Sequence, residues 1–224
     1  MPNYPICLSL AERRCLVAGL GRVGLRKLAG LLACEPAEVV AVDPAPPSDA
    51  ALPLLADPRV VHRLRAFKDD DIDGCSLVFA ATGDAGENAR IARLCRERGI
   101  LCNCASAPDL CDFLVPAVER IPPLEATIST GGASPALAAR LRRELGRWLA
   151  PRARMAELMG RIRPLVLALG EESVHNTTLF KTLAASPLED ALSGKDGDAC
   201  AAILQDTLPA PLHGRIPELL HGLF

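Results

Sequence analysis

The sequence predicts an α/β fold, with a parallel sheet covered by helices on both faces, then a segment of different pattern and a helical C-terminal third. Two observations carry this. Across residues 1–113, short apolar runs alternate with helix-like patterns, as in chains that wind strand, helix and strand into one parallel sheet. The first of these runs also opens into a turn spaced G-x-G-x-x-G before the first helical pattern.

Taken in order, Cys15–Ala18 reads as a strand and 22–33 as a helix, through Val23, Leu28, Leu31 and Leu32. Val39–Val42 is a second buried strand, and Leu77–Ala81 and Ile100–Cys102 are two more, separated by a helix over 86–98. In the turn, Gly19 permits the tight bend, Gly21 admits a dinucleotide pyrophosphate to the backbone, and Gly24 allows close helix–strand packing. The pyrophosphate would rest on the N–H groups that open the helix. Asp43 ends the second strand 19 residues past Gly24, where a carboxylate hydrogen-bonds the adenosine ribose and repels a 2′-phosphate. These features point to a Rossmann-type domain that takes NAD rather than NADP; an ordinary loop acid after a strand is the plainer reading of Asp43. Thr82-Gly83-Asp84 lies at a strand's carboxyl end, where open α/β sheets bind ligands, and Asp84 is a candidate cap for the helix that Asn88 opens.

From Phe113 to about Ala150 the pattern changes. Leu124–Thr130 alternates like a strand, Gly131 and Gly132 break it, and a helix from Pro135 follows with Ser134 as its cap. This turn is either an anion site rich in N–H groups or an ordinary strand-to-helix turn. Residues 151–224 read as helical, with loops at Ser186-Pro187 and Ser193–Gly197. Repeated Pro and Gly after Leu208 suggest a loosely packed tail. The expected domains are therefore 1–113, 114–150 and 151–224.

Composition narrows the function. The 224 residues are 50% apolar, but no apolar stretch is long enough to span a membrane, and Met-Pro-Asn-Tyr-Pro lacks the shape of a secretion signal. The nine cysteines show neither framework nor metal-ligand spacing; they read as reduced, mostly buried thiols of a cytoplasmic protein, with no metal site. Eight arginines and only two acids lie between Arg140 and Arg163, whereas three bases face eight acids from Pro164 onward. With five Phe, one Tyr and one Trp, and no aromatic interleaving among the arginines, a polyanionic small molecule fits better than nucleic acid.

Several blocks carry a specific resemblance. They are Pro5-Ile-Cys-Leu-Ser-Leu10, Gly24-x-Arg26-Lys27 and Ala80-Ala-Thr82-x-Asp84-x-x-x-Asn88, then Cys102-Asn103 and Pro108-x-Leu110-Cys111-Asp112-Phe113-x-x-Pro116. With Ser129-Thr130-Gly-Gly-x-Ser134-Pro135-x-Leu137-Ala138, they resemble the siroheme synthase N-terminal module, the precorrin-2 dehydrogenase family. Some members of that family are also sirohydrochlorin ferrochelatases. The likeness covers residues 1 to about 150.

The resemblance implies a homodimer joined through 114–150, in which NAD⁺ takes hydride from precorrin-2, a tetrapyrrole with eight carboxylates, to give sirohydrochlorin. It places Arg22, Val23, Asp43 and Pro44 along the cofactor with Ala81 and Thr82 near its far end. It assigns Asn103, Thr130, Gly131, Gly132, Ser134 and Arg140 to the substrate. One departure stands out. The family pattern Asn-x-x-Asp-x-Pro, whose acid is the assigned catalytic carboxylate, here reads Asn103-Cys-Ala-Ser106-Ala-Pro108. A serine without an activating partner is no base at neutral pH. The catalytic candidates are therefore Ser106 itself, Asp109 and Asp112. A bifunctional dehydrogenase–ferrochelatase, another Rossmann oxidoreductase and a non-catalytic NAD- or tetrapyrrole-binding protein remain as alternatives.

Overall fold

The structure, a computed structural model, describes residues 3–170 and 173–224. Met1 and Pro2, where the absence of a secretion signal was read, and Glu171 and Glu172 within the expected helical third lie outside them. The chain forms two compact units, 1–115 and 116–224.

The first unit runs β1 (Arg14–Ala18), α1 (Arg22–Leu32), β2 (Glu38–Asp43), α2 (Leu52–Leu55), β3 (Val60–Leu64), β4 (Cys75–Ala80), α3 (Ala85–Glu97) and β5 (Leu101–Cys104). All five strands are parallel, in the order β3-β2-β1-β4-β5. This is the expected doubly wound sheet. The strand period divides its apolar residues between two cores. Cys15, Val17, Val39, Ala41, Leu77 and Phe79 pack with Leu28, Leu31 and Leu32 of α1. Leu16, Ala18, Val40, Val42, Val78, Ala80, Cys102 and Cys104 pack with Ile91, Ala92 and Cys95 of α3. Burial on both faces is why these strands read as continuous apolar runs. It also pushes the Cys15 and Cys75 thiols up to about 11, so these sulfurs are inert core atoms.

Strand β3 was not anticipated. At the sheet edge it is only half-buried, and Val-Val-His-Arg-Leu shows too little apolar continuity to announce itself. Arg63 and Arg65, from β3 and just beyond it, both grip Asp71, whose side chain is fully buried. Burial alone would raise the Asp71 pKa, but hydrogen bonds from Arg65, the Lys68 amide and Arg63 outweigh it and hold the carboxyl at about 2.

The second unit begins with an antiparallel pair, β6 (Ala117–Ile121) and β7 (Leu124–Ile128), followed by α4 (Pro135–Leu149). The first of these strands also escaped the sequence reading. Ser134 Oγ accepts from the Leu137 N–H at 3.2 Å, the expected cap. Five more helices follow: α5 (Ala153–Ala168), α6 (Ser173–Ala185), α7 (Leu188–Ser193), α8 (Gly197–Thr207) and α9 (Ile216–Leu220). Their core holds Leu158, Ile162, Val166, Leu183, Leu188, Leu192 and Leu204.

The expectation of a loosely packed tail is wrong. Leu212, Ile216, Leu219, Leu220 and Leu223 are all buried in that same core. Prolines 209, 211 and 217 lie in or beside the first turns of a 3-10 helix and of α9, where proline's fixed φ and missing N–H are tolerated, so they shape the tail without loosening it. Among the described residues, no helix is long and apolar enough to cross a membrane.

Candidate functional site

The strand order reverses direction between β1 and β4, and ligands of open α/β sheets bind outside the carboxyl ends at that point. The G-x-G-x-x-G turn lies there. Gly19 has φ +92°, and a Cβ on it would sit 2.3 Å from the Ala81 carbonyl oxygen; a Cβ on Gly24 would sit 1.8 Å from that of Gly19. Both glycines are therefore demanded by backbone packing. Gly21 differs: nothing lies within 4 Å of where its Cβ would be. It precedes α1 without any side-chain cap, and the first turn of α1 carries no acid. The N–H groups of Arg22, Val23 and Gly24 thus open α1 with no side-chain cap, beside open space at Gly21.

At the end of β2, Asp43 accepts from the Leu20 N–H at 2.6 Å through Oδ2 and from the Ala45 N–H at 2.8 Å through Oδ1. The carboxylate clamps the glycine loop to the turn at Pro44–Pro46 and retains lone pairs for ribose hydroxyls. Leu20, Gly21, Arg22, Asp43, Ala45 and Pro46 line one open cleft of about 590 Å³. These residues fit a dinucleotide. The cradle leaves room only where a side chain is missing, and its polar groups suit pyrophosphate and ribose.

Beside the loop, the ends of β4 and β5 are joined through Asn88, which is buried on the first turn of α3. Its Oδ1 accepts from the Thr82 N–H at 2.9 Å and from Thr82 Oγ1 at 2.7 Å. Its Nδ2 donates to the Thr82 carbonyl at 3.1 Å and to Ser106 Oγ at 3.2 Å. Asp84, as expected, is the cap of α3, accepting from the Gly86 and Glu87 amides.

The remaining candidates of this unit have other tasks. Asp112 Oδ2 accepts from the Cys102 N–H at 2.9 Å while its own N–H donates to the Cys102 carbonyl, so it finishes the free edge of β5. Asn103 is buried and donates to the Phe113 carbonyl at 2.9 Å. Asp109 is exposed in the turn Pro108–Leu110. The Cys111 thiol, raised by burial, accepts from the Cys104 N–H at 3.1 Å. Among the described residues, no group of His, Cys, Asp and Glu could hold a metal ion.

In the second unit, the Thr130–Ser134 turn largely satisfies itself. The Gly131 N–H goes to Ser129 Oγ, that of Ala133 to the Thr130 carbonyl and that of Ser134 to Thr130 Oγ1. Gly131 and Gly132 have φ of +60° and +87°, which explains both glycines. Of the arginine cluster, Arg140 pairs with Glu144, Arg142 with Glu119, Arg152 with Glu189 and Arg161 with Glu157. Arg163 lies over the Phe180 ring, which leaves Arg143, Arg147 and Arg154 without an acidic or aromatic partner among the described residues.

A doubly wound sheet with a glycine cradle at its switch point and an acid closing β2 defines a dinucleotide-binding domain. The chain belongs to the NAD(P)-binding family, whose model matches residues 6–117; residues 127–147 match the model described as the central segment of sirohaem biosynthesis proteins. It is similar to the siroheme synthase of Methylococcus capsulatus, 36% identical over 211 residues, which cover 92% of this chain and 43% of that one. The siroheme synthase of Azotobacter vinelandii is 34% identical, covering 100% of this chain and 47% of its own. The chain thus spans under half the length of the curated relatives it matches. A solved structure described as SirC, precorrin-2 dehydrogenase, shares the fold, with a TM-score of 0.71 at 21% identity over 92% of this chain and 98% of that one.

Proposed function

We propose that this chain is an NAD-dependent dehydrogenase that converts precorrin-2 to sirohydrochlorin, acting in the cytoplasm as a homodimer joined through 114–150. The observation that carries this reading is the open cradle at Gly21, closed on one side by Asp43 and flanked on the other by Thr82 and Ser106. The names of the similar proteins, siroheme synthase and precorrin-2 dehydrogenase, supply the substrate.

Bound NAD⁺ supplies the hydride acceptor. The chain's own residues do the rest. The α1 amides hold the pyrophosphate, and Asp43 receives ribose hydroxyls and repels a 2′-phosphate, which selects NAD over NADP. Arg22, Val23 and Pro44 line the adenosine side, and Ala81 and Thr82 the nicotinamide side. Substrate carboxylates go to Arg140 and its neighbours Arg143, Arg147 and Arg154, and to the Thr130–Ser134 turn, where the Gly132 N–H has no partner among the described residues.

Ser106 is the polar group nearest the family's acid position, and it works as a neutral hydrogen-bond donor. Proton removal then falls to water or to the exposed Asp109, since Asp112 is tied to the backbone. Loss of a dedicated base typically costs about 10²–10⁴ in rate, which slows but does not abolish hydride transfer between well-placed partners. Metal insertion also needs pyrrole N–H protons removed, so the same substitution argues against the ferrochelatase activity.

The test is anaerobic incubation of the purified protein with precorrin-2 and NAD⁺, followed by NADH absorbance, with Fe²⁺ or Co²⁺ added afterwards. NADH formation without accelerated metal insertion is the expected result. Absence of NADH overturns the reading, and rapid chelation overturns its restriction to one activity.

A further inference from the structure

The Asn88 side chain touches both strand ends on the far side of the glycine cradle, and its amide cannot be turned round. The Thr82 N–H can only donate, so the carboxamide oxygen must face it. The amide nitrogen is thereby fixed toward the Thr82 carbonyl and Ser106 Oγ. All four hydrogen-bonding positions of the carboxamide are used, in a side chain 1% exposed. Ser106 Oγ therefore receives a proton from Asn88, and its own O–H must point to another acceptor. Cys104 Sγ, at 3.7 Å, is the other protein group within reach and a weak acceptor.

We propose that Asn88 is a positioning residue of the dehydrogenase site, which sets the polarity of the Ser106 hydroxyl so that its proton is presented outward to the substrate, and which locks the Thr82 backbone at the cofactor's far end. The proposal rests on the function given above. It also explains how a serine works at a position without a base: Asn88 can only donate to it, so the Ser106 proton is not drawn inward and is free to be given to the substrate.

Asn88→Asp separates polarity from position. The carboxylate still accepts from the Thr82 N–H and hydroxyl; its second oxygen gives up the bond to the Thr82 carbonyl and faces Ser106, whose O–H turns inward to donate. Asn88→Asp should therefore behave like Ser106→Ala. Each should lower kcat about tenfold, with the NAD⁺ dissociation constant and the KM for precorrin-2 changed less than about threefold. The double variant should be no slower than either single one, because both remove the same outward proton.

Wild-type turnover with multiplying single-variant costs, or Asn88→Asp weakening NAD⁺ binding as much as kcat, overturns the positioning role and leaves the dehydrogenase reading intact. Wild-type protein without NADH formation overturns both. Should Asn88→Asp melt below the assay temperature, Thr82→Val is the second variant. It removes one of the amide's anchors at a half-buried position just past β4, and in its background the Ser106→Ala cost should shrink from about tenfold to about threefold or less. An undiminished cost there refutes the proposal.

Discussion

Replacing Gly21 and Gly24 separately by alanine should split the two duties that a glycine cradle combines. At Gly21 the backbone is extended, with φ −68° and ψ −178°, which alanine adopts freely, and no atom lies within 4 Å of the new methyl. The folded state is undisturbed while the unfolded chain loses freedom, so stability should hold or rise by about 0.4–1 kcal/mol. For a chain of this size that is a melting temperature raised by roughly 0–4 °C. The methyl occupies the space through which pyrophosphate reaches the α1 amides, so NAD⁺ affinity should fall at least about tenfold, or ~1.4 kcal/mol. At Gly24 the methyl would lie 1.8 Å from the Gly19 carbonyl oxygen, well inside van der Waals contact. Helix α1 must withdraw by more than about 1 Å, at a cost of about 1–3 kcal/mol or more, and the apo protein should melt several degrees lower. Thermal melts of both apo variants and calorimetric NAD⁺ titration decide the matter. Gly21→Ala binding NAD⁺ within about threefold of wild type, or Gly24→Ala melting with wild type, refutes the account of the loop.

Asp43→Ala should narrow the preference for NAD⁺ over NADP⁺ in competition binding. It should also cost about 1–2 kcal/mol of stability, because the Leu20 and Ala45 amides lose their acceptor; equal affinity of the wild type for both cofactors defeats this reading. Asp71→Asn should destabilise by about 1–2 kcal/mol near neutral pH, a figure reduced for the partly solvated arginines. Because the folded pKa of about 2 is depressed, that contribution is complete above the ordinary carboxylate pKa near 4. It should fade as pH drops toward 2, so urea denaturation at successive pH values should show the gap closing, and a constant gap contradicts it. Leu219→Ala, in the tail, should cost about 2–5 kcal/mol in the same measurement; a loss under about 0.5 kcal/mol would mean the tail does not pack as described.

The sheet was legible because of how it is buried. Val39–Val42 and Leu77–Ala80 are enclosed on both faces, so their sequences lack polar interruption and declare parallel strands. At the edge, β3 can expose Val61 and Leu64 and employ Arg63 on Asp71, and nothing in a half-polar pentapeptide reveals a partner strand. The tail misled for a related reason. Proline and glycine report local backbone choices, whereas Ile216 and Leu219 belong to a core assembled from five helices. At the site, glycine spacing and the distance to Asp43 were readable because they follow from a local strand–turn–helix unit. The double duty of Asp43 was not, since the Leu20 amide lies 23 residues away. Asp112 could be nominated as a base on chemistry, but its place beside the Cys102 backbone needed the fold.

Asn88 shows how such a site can change a reacting residue without losing its scaffold. Two of its three contacts to Thr82 are to the main chain, and all three exist whatever side chain stands at 106. An aspartate at 106 would take the Asn88 proton as a charge-assisted bond, favouring its ionised form as a base. A serine takes the same proton and is left with one to give. One buried amide therefore serves opposite proton roles at the adjoining position, and the serine in this chain changes the chemistry on offer while the geometry that delivers it stays the same.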